Sequence, residues 1–204
     1  EDGIRDYKVT GVQTCALPIC STANMTVNIG EPVNLGQVGS STSWSAGGPV
    51  NISGQGAINV SPGSTISLSG IGSSLVIAIT SAAPAPLSGG GALTVNPGAT
   101  LSNQRTGAVD ISGVTLFNNG AVDHQVGGTL SIGGGSDQSG SIYQLGAGPA
   151  STVAVKAGTR DSQALFTGSG TVQTAGGNWV FGSGAGFSPG VTLDVNGGTM
   201  TLNS

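Results

Sequence analysis

The 204 residues have a formal net charge of −4 and include only five basic side chains, too few for the basic surface that a nucleic-acid partner requires. Charged residues make up 7% of the chain and hydrophobic residues 37%, while glycine occupies 38 positions, which excludes both an ordinary globular composition and a typical disordered one. Small and β-branched residues with frequent glycine favour short strands and tight turns over helices. Since no apolar run approaches the roughly 20 residues that span a bilayer, we predict an all-β chain without a membrane-spanning segment.

The first twenty residues differ from the rest of the chain. EDGIRDYKVTGVQTCALPIC holds both cysteines and three of the nine acidic residues, but only two of the 38 glycines. Its order resembles the translation of a high-throughput sequencing adapter, with Tyr7 and Lys8 in the place of the sample index. We therefore interpret residues 1–20 as a non-native segment with few native contacts, and we exclude Cys15 and Cys20 from any disulfide, metal or nucleophile site. Residues 21–204 are then the native part, which we expect to be truncated at both ends.

Repeated patterns begin after this segment. AINVSPGSTIS at 57–67 matches ALTVNPGATLS at 92–102, and FSPGVTL at 187–193 repeats the centre of the pattern. GGTL at 127–130 recurs as GGTM at 197–200, with twice the offset that separates 57–67 from 92–102. GAVD at 107–110 recurs at 120–123, with a much shorter offset. The two larger offsets predict a unit of about 17–18 residues, and therefore about ten coils in the native part. The shorter offset indicates that the unit varies.

Each unit has the same physical plan. Alternation, as in Ile58 and Val60, directs one side of a short strand inward, because successive side chains of a strand face opposite ways. Proline followed by glycine then predicts a type II turn, in which the glycine has a positive φ. One such unit cannot bury its apolar side alone, but stacked units form a continuous core. The glycines predicted to have a positive φ are Gly63, Gly98 and Gly190.

The predicted fold is a parallel β-helix, or β-solenoid, with no substantial helix. A β-sandwich of short hairpins is the competing architecture, because the glycines also permit turns about every 8–12 residues. The segment AAPAPLSGGG at 82–91 fits either a linker or a loop that leaves one coil, since its prolines cannot donate to a central ladder. We retain one domain from 21 to 204.

One pair of acidic residues is a candidate catalytic site. Asp110 and Asp123 occupy matching places in the GAVD repeat, and His124, the sole histidine, follows the second. On adjacent coils their carboxylates would lie about 5 Å apart, which is the separation in retaining glycosidases. The alternative interpretation places each aspartate at a solvated strand end.

Other polar residues offer weaker patterns. Arg105, Lys156 and the Arg160–Asp161 pair are interpreted as solvated turn residues. GGGSD at 133–137 is only a partial match to a calcium-binding nonapeptide, and one histidine without a native cysteine cannot build a structural zinc site. The sequence therefore predicts no catalytic, cofactor-binding or metal-binding residue and no cofactor.

Aromatic residues are few, and Trp179 and Phe181 alternate onto the same face of one predicted strand. Core packing is the expected role of the aromatic residues, with a sugar-stacking platform as the alternative. Thr199 and Thr201 suggest a threonine ladder of the ice-binding kind, but the pair is not repeated from unit to unit in the sequence. The aromatic residues considered are Trp44, Tyr143, Trp179, Phe181 and Phe187.

The runs at 116–135 and 168–204 carry a family resemblance. LFNNGAVDHQVGGTLSIGGG and GSGTVQTAGGNWVFGSGAGFSPGVTLDVNGGTMTLNS resemble the passenger regions of bacterial autotransporters and filamentous-haemagglutinin-like adhesins. The resemblance is compositional and covers most of residues 24–204. It implies a right-handed parallel β-helix that is exported and displayed on the cell surface.

Two functions follow as expectations. The first is a structural or adhesive passenger, or spacer, of a secreted or surface-displayed bacterial protein, with a glycan or a surface as its partner. The alternative is a carbohydrate-active β-helix enzyme, a polysaccharide hydrolase or lyase, that uses Asp110 and Asp123.

Overall fold

The computed structural model describes residues 85–147 and 151–203, together with eight strands that precede residue 85. In these earlier strands the side chains are described at positions 58, 60, 65–68, 74 and 75. Residues 1–19 lie outside the described residues, so the interpretation of residues 1–20 as a non-native segment stays a prediction. Cys20, at the junction, begins the first strand and is aligned with Ser45.

The strands form parallel sheets that run along the length of a coiled stack. The nine-stranded sheet contains β1 (Cys20–Ser21), β4 (Ser43–Ala46), β7 (Thr65–Leu68), β10 (Ala92–Val95), β13 (Thr115–Asn118), β16 (Gly135–Asp137), β19 (Thr159–Ser162), β22 (Asn178–Phe181) and β25 (Thr199–Leu202). The eight-stranded sheet contains β2 (Met25–Ile29), β5 (Pro49–Gly54), β8 (Ser74–Ile77), β11 (Thr100–Asn103), β14 (Ala121–His124), β17 (Ile142–Leu145), β20 (Leu165–Gly168) and β23 (Gly186–Phe187).

The third side of the stack consists of two shorter sheets. The three-stranded sheet contains β3 (Val33–Leu35), β6 (Ile58–Val60) and β9 (Leu87–Ser88), and the five-stranded sheet contains β12 (Val109–Ile111), β15 (Gly128–Ile132), β18 (Ser151–Val155), β21 (Thr171–Thr174) and β24 (Thr192–Val195). In chain order, each coil contributes one strand to each side. Five coils follow residue 92, and each adds one strand to the five-stranded sheet.

This topology confirms the predicted all-β parallel solenoid. The described residues contain no helix, and a strand is always aligned in parallel with its neighbour of the next coil, as in β10 and β13. The hairpins of a β-sandwich would pair antiparallel, so the sandwich alternative is wrong. Leu87 and Ser88 of the 82–91 segment pair with β6 and therefore belong to a coil, whereas residues 82–84 lie outside the described residues.

The predicted number of coils is wrong, because each coil is longer than the predicted unit. Leu116 is aligned with Gly135 of the next coil, whereas Ile58 is aligned with Leu87, so the length of a coil also varies along the stack. The repeat of 57–67 at 92–102 does not span a whole number of coils, since Ile58 lies on the third side and Leu93 lies in the nine-stranded sheet. The repeat is a strand–corner–strand unit that occurs at different corners of the coil.

The core lies inside the coils and is built by alternation. The predicted inward residues Val60, Leu93 and Val95 have no exposed surface, and Ile58 is also buried. In β10 and β14 the inward residues are buried while their neighbours are half-buried. Each fully buried Val, Leu or Ile contributes about 1.5–3 kcal/mol of hydrophobic stabilisation, so stacking supplies what a single coil lacks.

The predicted Pro-Gly corners have two different geometries. At Gly98 the prediction is confirmed, since φ is 80° and the amide of Ala99 donates to the carbonyl of Asn96 at 2.9 Å. At Gly190 it is wrong, because φ is not in the left-handed region. A Cβ atom at Gly190 would lie 2.8 Å from the Cβ of Ser169, so close packing against the previous coil requires this glycine. Gly63 lies outside the described residues.

Candidate functional site

The two aspartates of the enzyme hypothesis are not brought together. Asp110 lies in β12 of the five-stranded sheet, where it is aligned with Ser131. Asp123 lies in β14 of the eight-stranded sheet, where it is aligned with Gln144. The GAVD repeat therefore falls on two different sides of the coil, because its two copies follow one another within less than a full coil.

Each aspartate instead accepts hydrogen bonds from its own surroundings. Asp110 forms an ion pair with Lys156 and accepts from the amide of Ser112 at 2.9 Å. Burial would raise the pKa of Asp110, but the bonds from Lys156 and Ser112 together lower it. Asp123 accepts from the side chain of Gln125 at 2.9 Å.

An ion pair that sequence reasoning missed lies inside the stack. Arg160 and Asp137 form a salt bridge in which neither side chain is exposed, and Arg160 Nε lies 3.0 Å from Asp137 Oδ2. Arg160 also donates to the carbonyl of Leu116 at 2.9 Å, and the Tyr143 hydroxyl donates to Asp137 at 2.8 Å. The interpretation of Arg160 as a solvated turn residue is wrong, because its side chain occupies an inward position of β19, whereas Asp161 is exposed as expected.

The charge states of this buried cluster follow from its contacts. Burial alone would lower the pKa of Arg160, but the interactions with Asp137 and Tyr143 together outweigh burial and raise it. Burial raises the pKa of Tyr143 well above its ordinary value, so its hydroxyl stays protonated and donates. The Arg160 guanidinium carbon also lies 5.8 Å from the ring centre of Trp179, within cation–π range.

The cluster connects four consecutive coils and has no exposed surface. Leu116, Asp137, Arg160 and Trp179 belong to β13, β16, β19 and β22, which are neighbours in the nine-stranded sheet. Its polar groups bond to one another, and none of the named side chains reaches solvent. This arrangement can fix the register of the coils, but it presents no reactive group to a substrate.

The described aromatic residues pack in the core, except Phe117, which is 38% exposed on the outward face of β13. Tyr143 stacks on Phe166 with ring centres 4.8 Å apart, and Phe166 stacks on Phe187 at 5.2 Å. Trp179 and Phe181 are buried on the same face of β22, as predicted, and their rings stack at 5.2 Å. Buried rings cannot stack on a sugar, so core packing is confirmed for Trp179 and Phe181. The side chain of Trp44 lies outside the described residues.

His124 is a further buried ionisable residue. It occupies the last, inward-facing position of β14 and has no exposed surface. Its Nδ1 lies 3.1 Å from Asn103 Nδ2, and its Nε2 lies 3.0 Å from the carbonyl oxygen of Gly128. Burial lowers the pKa of His124, an effect that the Gly128 bond, the nearby Asp123 and the Thr152 backbone only partly offset.

A row of hydroxyl groups follows the outward face of the five-stranded sheet. Thr129, Thr152, Thr171 and Thr192 are mutually aligned on four consecutive strands. Sequence reasoning missed this row because the spacing of its members along the chain changes from one coil to the next. The predicted pair Thr199 and Thr201 is not repeated on β22, where Asn178 and Val180 occupy the aligned positions.

The described residues form no metal-binding cluster and no membrane-spanning helix. Within residues 85–147 and 151–203 and the described earlier strands, no three His, Cys, Asp or Glu side chains are grouped as a metal site would require. The same residues include no helix of the length and apolarity that crossing a membrane needs. Comparison with family models, with curated proteins and with solved structures finds no match for this chain.

Proposed function

We propose that this chain is a structural or adhesive rod of a secreted or surface-displayed bacterial protein. The observation that carries the proposal is that an ion pair and the tyrosine bonded to it lie inside the stack. Arg160, Asp137 and Tyr143 bond to one another in the core. A rod needs such internal contacts to hold its coils in register, whereas a catalyst needs reactive groups in a cleft.

The placement outside the cell is supported by the resemblance of the sequence to autotransporter passengers and haemagglutinin-like adhesins. A coil of three short parallel strands agrees with that resemblance. The resemblance rests on a composition that is rich in glycine, threonine and asparagine, poor in charge and largely free of cysteine.

The adhesive part of the proposal is a contact between the five-stranded sheet and a neutral glycan. The row from Thr129 to Thr192 presents hydroxyl and methyl groups with the spacing of strands, about 4.8 Å. Near this row, Asp110 is neutralised by Lys156, and Asp194 accepts from the Gln173 side chain at 2.6 Å. A face whose two carboxylates are held in hydrogen bonds, one of them in an ion pair, and which carries regular hydroxyls suits a partner that is itself uncharged and rich in hydroxyls.

The experiment measures retention of the full chain on insoluble neutral polysaccharides. Thr152→Lys with Thr171→Lys places two cations in the hydroxyl row, and we expect retention to fall by about tenfold or more, equivalent to about 1.4 kcal/mol. The matched control, Thr115→Lys with Thr159→Lys, alters the outward face of the nine-stranded sheet and should bind like the wild type. Equal loss in both variants, or none in either, would contradict the proposed face.

The same preparations test the enzyme alternative. We expect no new reducing ends and no unsaturated products from acidic or neutral polysaccharides, and no difference between the wild type and Asp110→Asn with Asp123→Asn. Product release that the double variant abolishes would overturn the structural proposal in favour of an enzyme. No observed contact favours that outcome, because the two carboxylates lie in different sheets.

A further inference from the structure

The hydrogen bonds around the His124 ring specify one protonation state of this residue. The backbone amide of Arg105 donates to Asn103 Oδ1 at 3.1 Å, so the amide group of Asn103 directs its Nδ2 toward His124. Nδ2 is a donor, and His124 Nδ1 must therefore accept. Nε2 faces the carbonyl of Gly128, which can only accept, so Nε2 holds the proton. The Asn103 and Gly128 hydrogen bonds are formed together only by the neutral imidazole, although the Thr152 backbone beside the ring favours the charged form.

The same residue connects three successive corners between the eight-stranded and five-stranded sheets. Asn103 ends β11 in one coil, and Gly128 begins β15 in the coil of His124. In the next coil, the amide of Gly146 donates to the carbonyl of His124 at 3.0 Å, and the Ser151 hydroxyl donates to the same oxygen. Loss of the His124 contacts would therefore loosen all three corners together.

The surroundings contain little charge that could stabilise a buried imidazolium. On its own strand Asp123 is the neighbour, at a half-buried outward position. Arg105 follows β11, and Tyr143 of β17 faces inward as a neutral phenol. The strands β15 and β18, which also contact this corner, contain no ionisable side chain.

We propose that His124 is an acid-sensitive switch that keeps the described residues of these three corners in contact with it at neutral pH and releases them in mild acid. A second proton on the ring would be placed on Nδ1, where it would oppose the N–H of Asn103, and it would leave a positive charge in the core. Amide reorientation of Asn103 does not resolve this conflict, since Nδ2 would then oppose the backbone N–H of Arg105. Opening of the corner to water removes both costs.

The direction of the pH effect follows from the ordinary pKa of histidine, about 6.5. Burial places the pKa of folded His124 below that value. Stability from the neutral ring is complete above pH 6.5 and is lost as the pH falls from 6.5 toward the folded pKa. The equilibrium between closed and open corners should shift by up to about tenfold per pH unit within that window.

The test compares the full chain with His124→Gln between pH 7.5 and 5.0, a range above the ordinary pKa of aspartate at about 3.9. Glutamine can accept with Oε1 and donate with Nε2, but it does not titrate. Amide hydrogen exchange at Gly146 is measured in both proteins, because their ratio at one pH cancels the intrinsic exchange rate. We expect the wild type to lose protection relative to His124→Gln as the pH falls. Equal protection at every pH would overturn the proposal.

A control and a second measurement keep the result clear. Ser151→Ala removes a bond at the same corner but keeps the histidine, so it should lower protection at all pH values and retain the pH dependence. If His124→Gln does not fold, the native pKa can be read directly by NMR in an untagged wild-type chain, since the protein has one histidine. A folded-state titration at or above pH 6.5 would overturn the proposal.

Discussion

At the scale of single residues, the two ion pairs of the described chain have very different environments. The Lys156 side chain is 53% exposed in its pair with Asp110, whereas Arg160 and Asp137 are fully buried. Exposed pairs contribute about 0–1 kcal/mol, because water and salt screen them. Removing one partner of a buried pair leaves an uncompensated charge in the core, which costs about 3–5 kcal/mol.

We therefore expect Arg160→Met to lower the free energy of unfolding by about 3–5 kcal/mol. Lys156→Met makes the same chemical change at the exposed pair, and it should cost less than about 1 kcal/mol. Urea unfolding at neutral pH measures both. Similar small losses in the two variants would show that Arg160 is not buried beside Asp137.

There is a physical reason why this buried cluster could not be predicted from the sequence. In the strand TRDS, Arg160 lies between Thr159 and Asp161, which are exposed. The alternation places Arg160 on the opposite face from these two residues, but it does not say which face points inward. Charged residues are rarely buried unless they are paired, and its partner Asp137 lies on the previous coil, far away along the chain. The apolar inward positions, such as Leu93 and Val95, could be predicted because alternation and hydrophobicity agree there.

At the scale of strands and corners, the turn chemistry was predictable but its place in the coil was not. The proline and glycine of 97–98 join the nine-stranded to the eight-stranded sheet, while those of 189–190 join the eight-stranded to the five-stranded sheet. A corner needs only a local change in chain direction, so the same residues can form a corner between any two sides of the coil. The spacing of such motifs therefore misled the prediction of coil length.

Gly140 isolates the conformational contribution of one corner. Its φ is 89°, the amide of Ser141 donates to the carbonyl of Gln138 at 3.1 Å, and a Cβ atom would meet nothing within 4 Å. Gly140→Val should destabilise the fold by about 1–3 kcal/mol, because β-branched residues are strained at positive φ. Gly140→Asn should cost less, since asparagine enters this region more readily. The denaturant midpoints of the two variants measure these losses of stability. Equal losses for Val and Asn would contradict a left-handed conformation at this corner.

At the scale of the whole molecule, the aligned parallel coils explain both the core and the surface. Inward rows place Tyr143, Phe166 and Phe187 in a continuous aromatic stack. Outward rows place Thr152 and Thr171 side by side. A shift of one residue would exchange these two faces, because side chains alternate along a strand. The register between coils is therefore the central claim about this fold.

Disulfide trapping tests that register most directly, in a chain whose Cys15 and Cys20 are replaced by serine. Thr152→Cys with Thr171→Cys places the thiols on aligned residues, whose Cα atoms should lie about 4.8 Å apart, within the range that disulfides bridge. Thr152→Cys with Gln173→Cys moves the second thiol two residues along β21, to about 8 Å, which is too far. We predict rapid oxidation of the first pair and none of the second. Oxidation of the second pair in preference to the first would contradict the parallel, in-register stack.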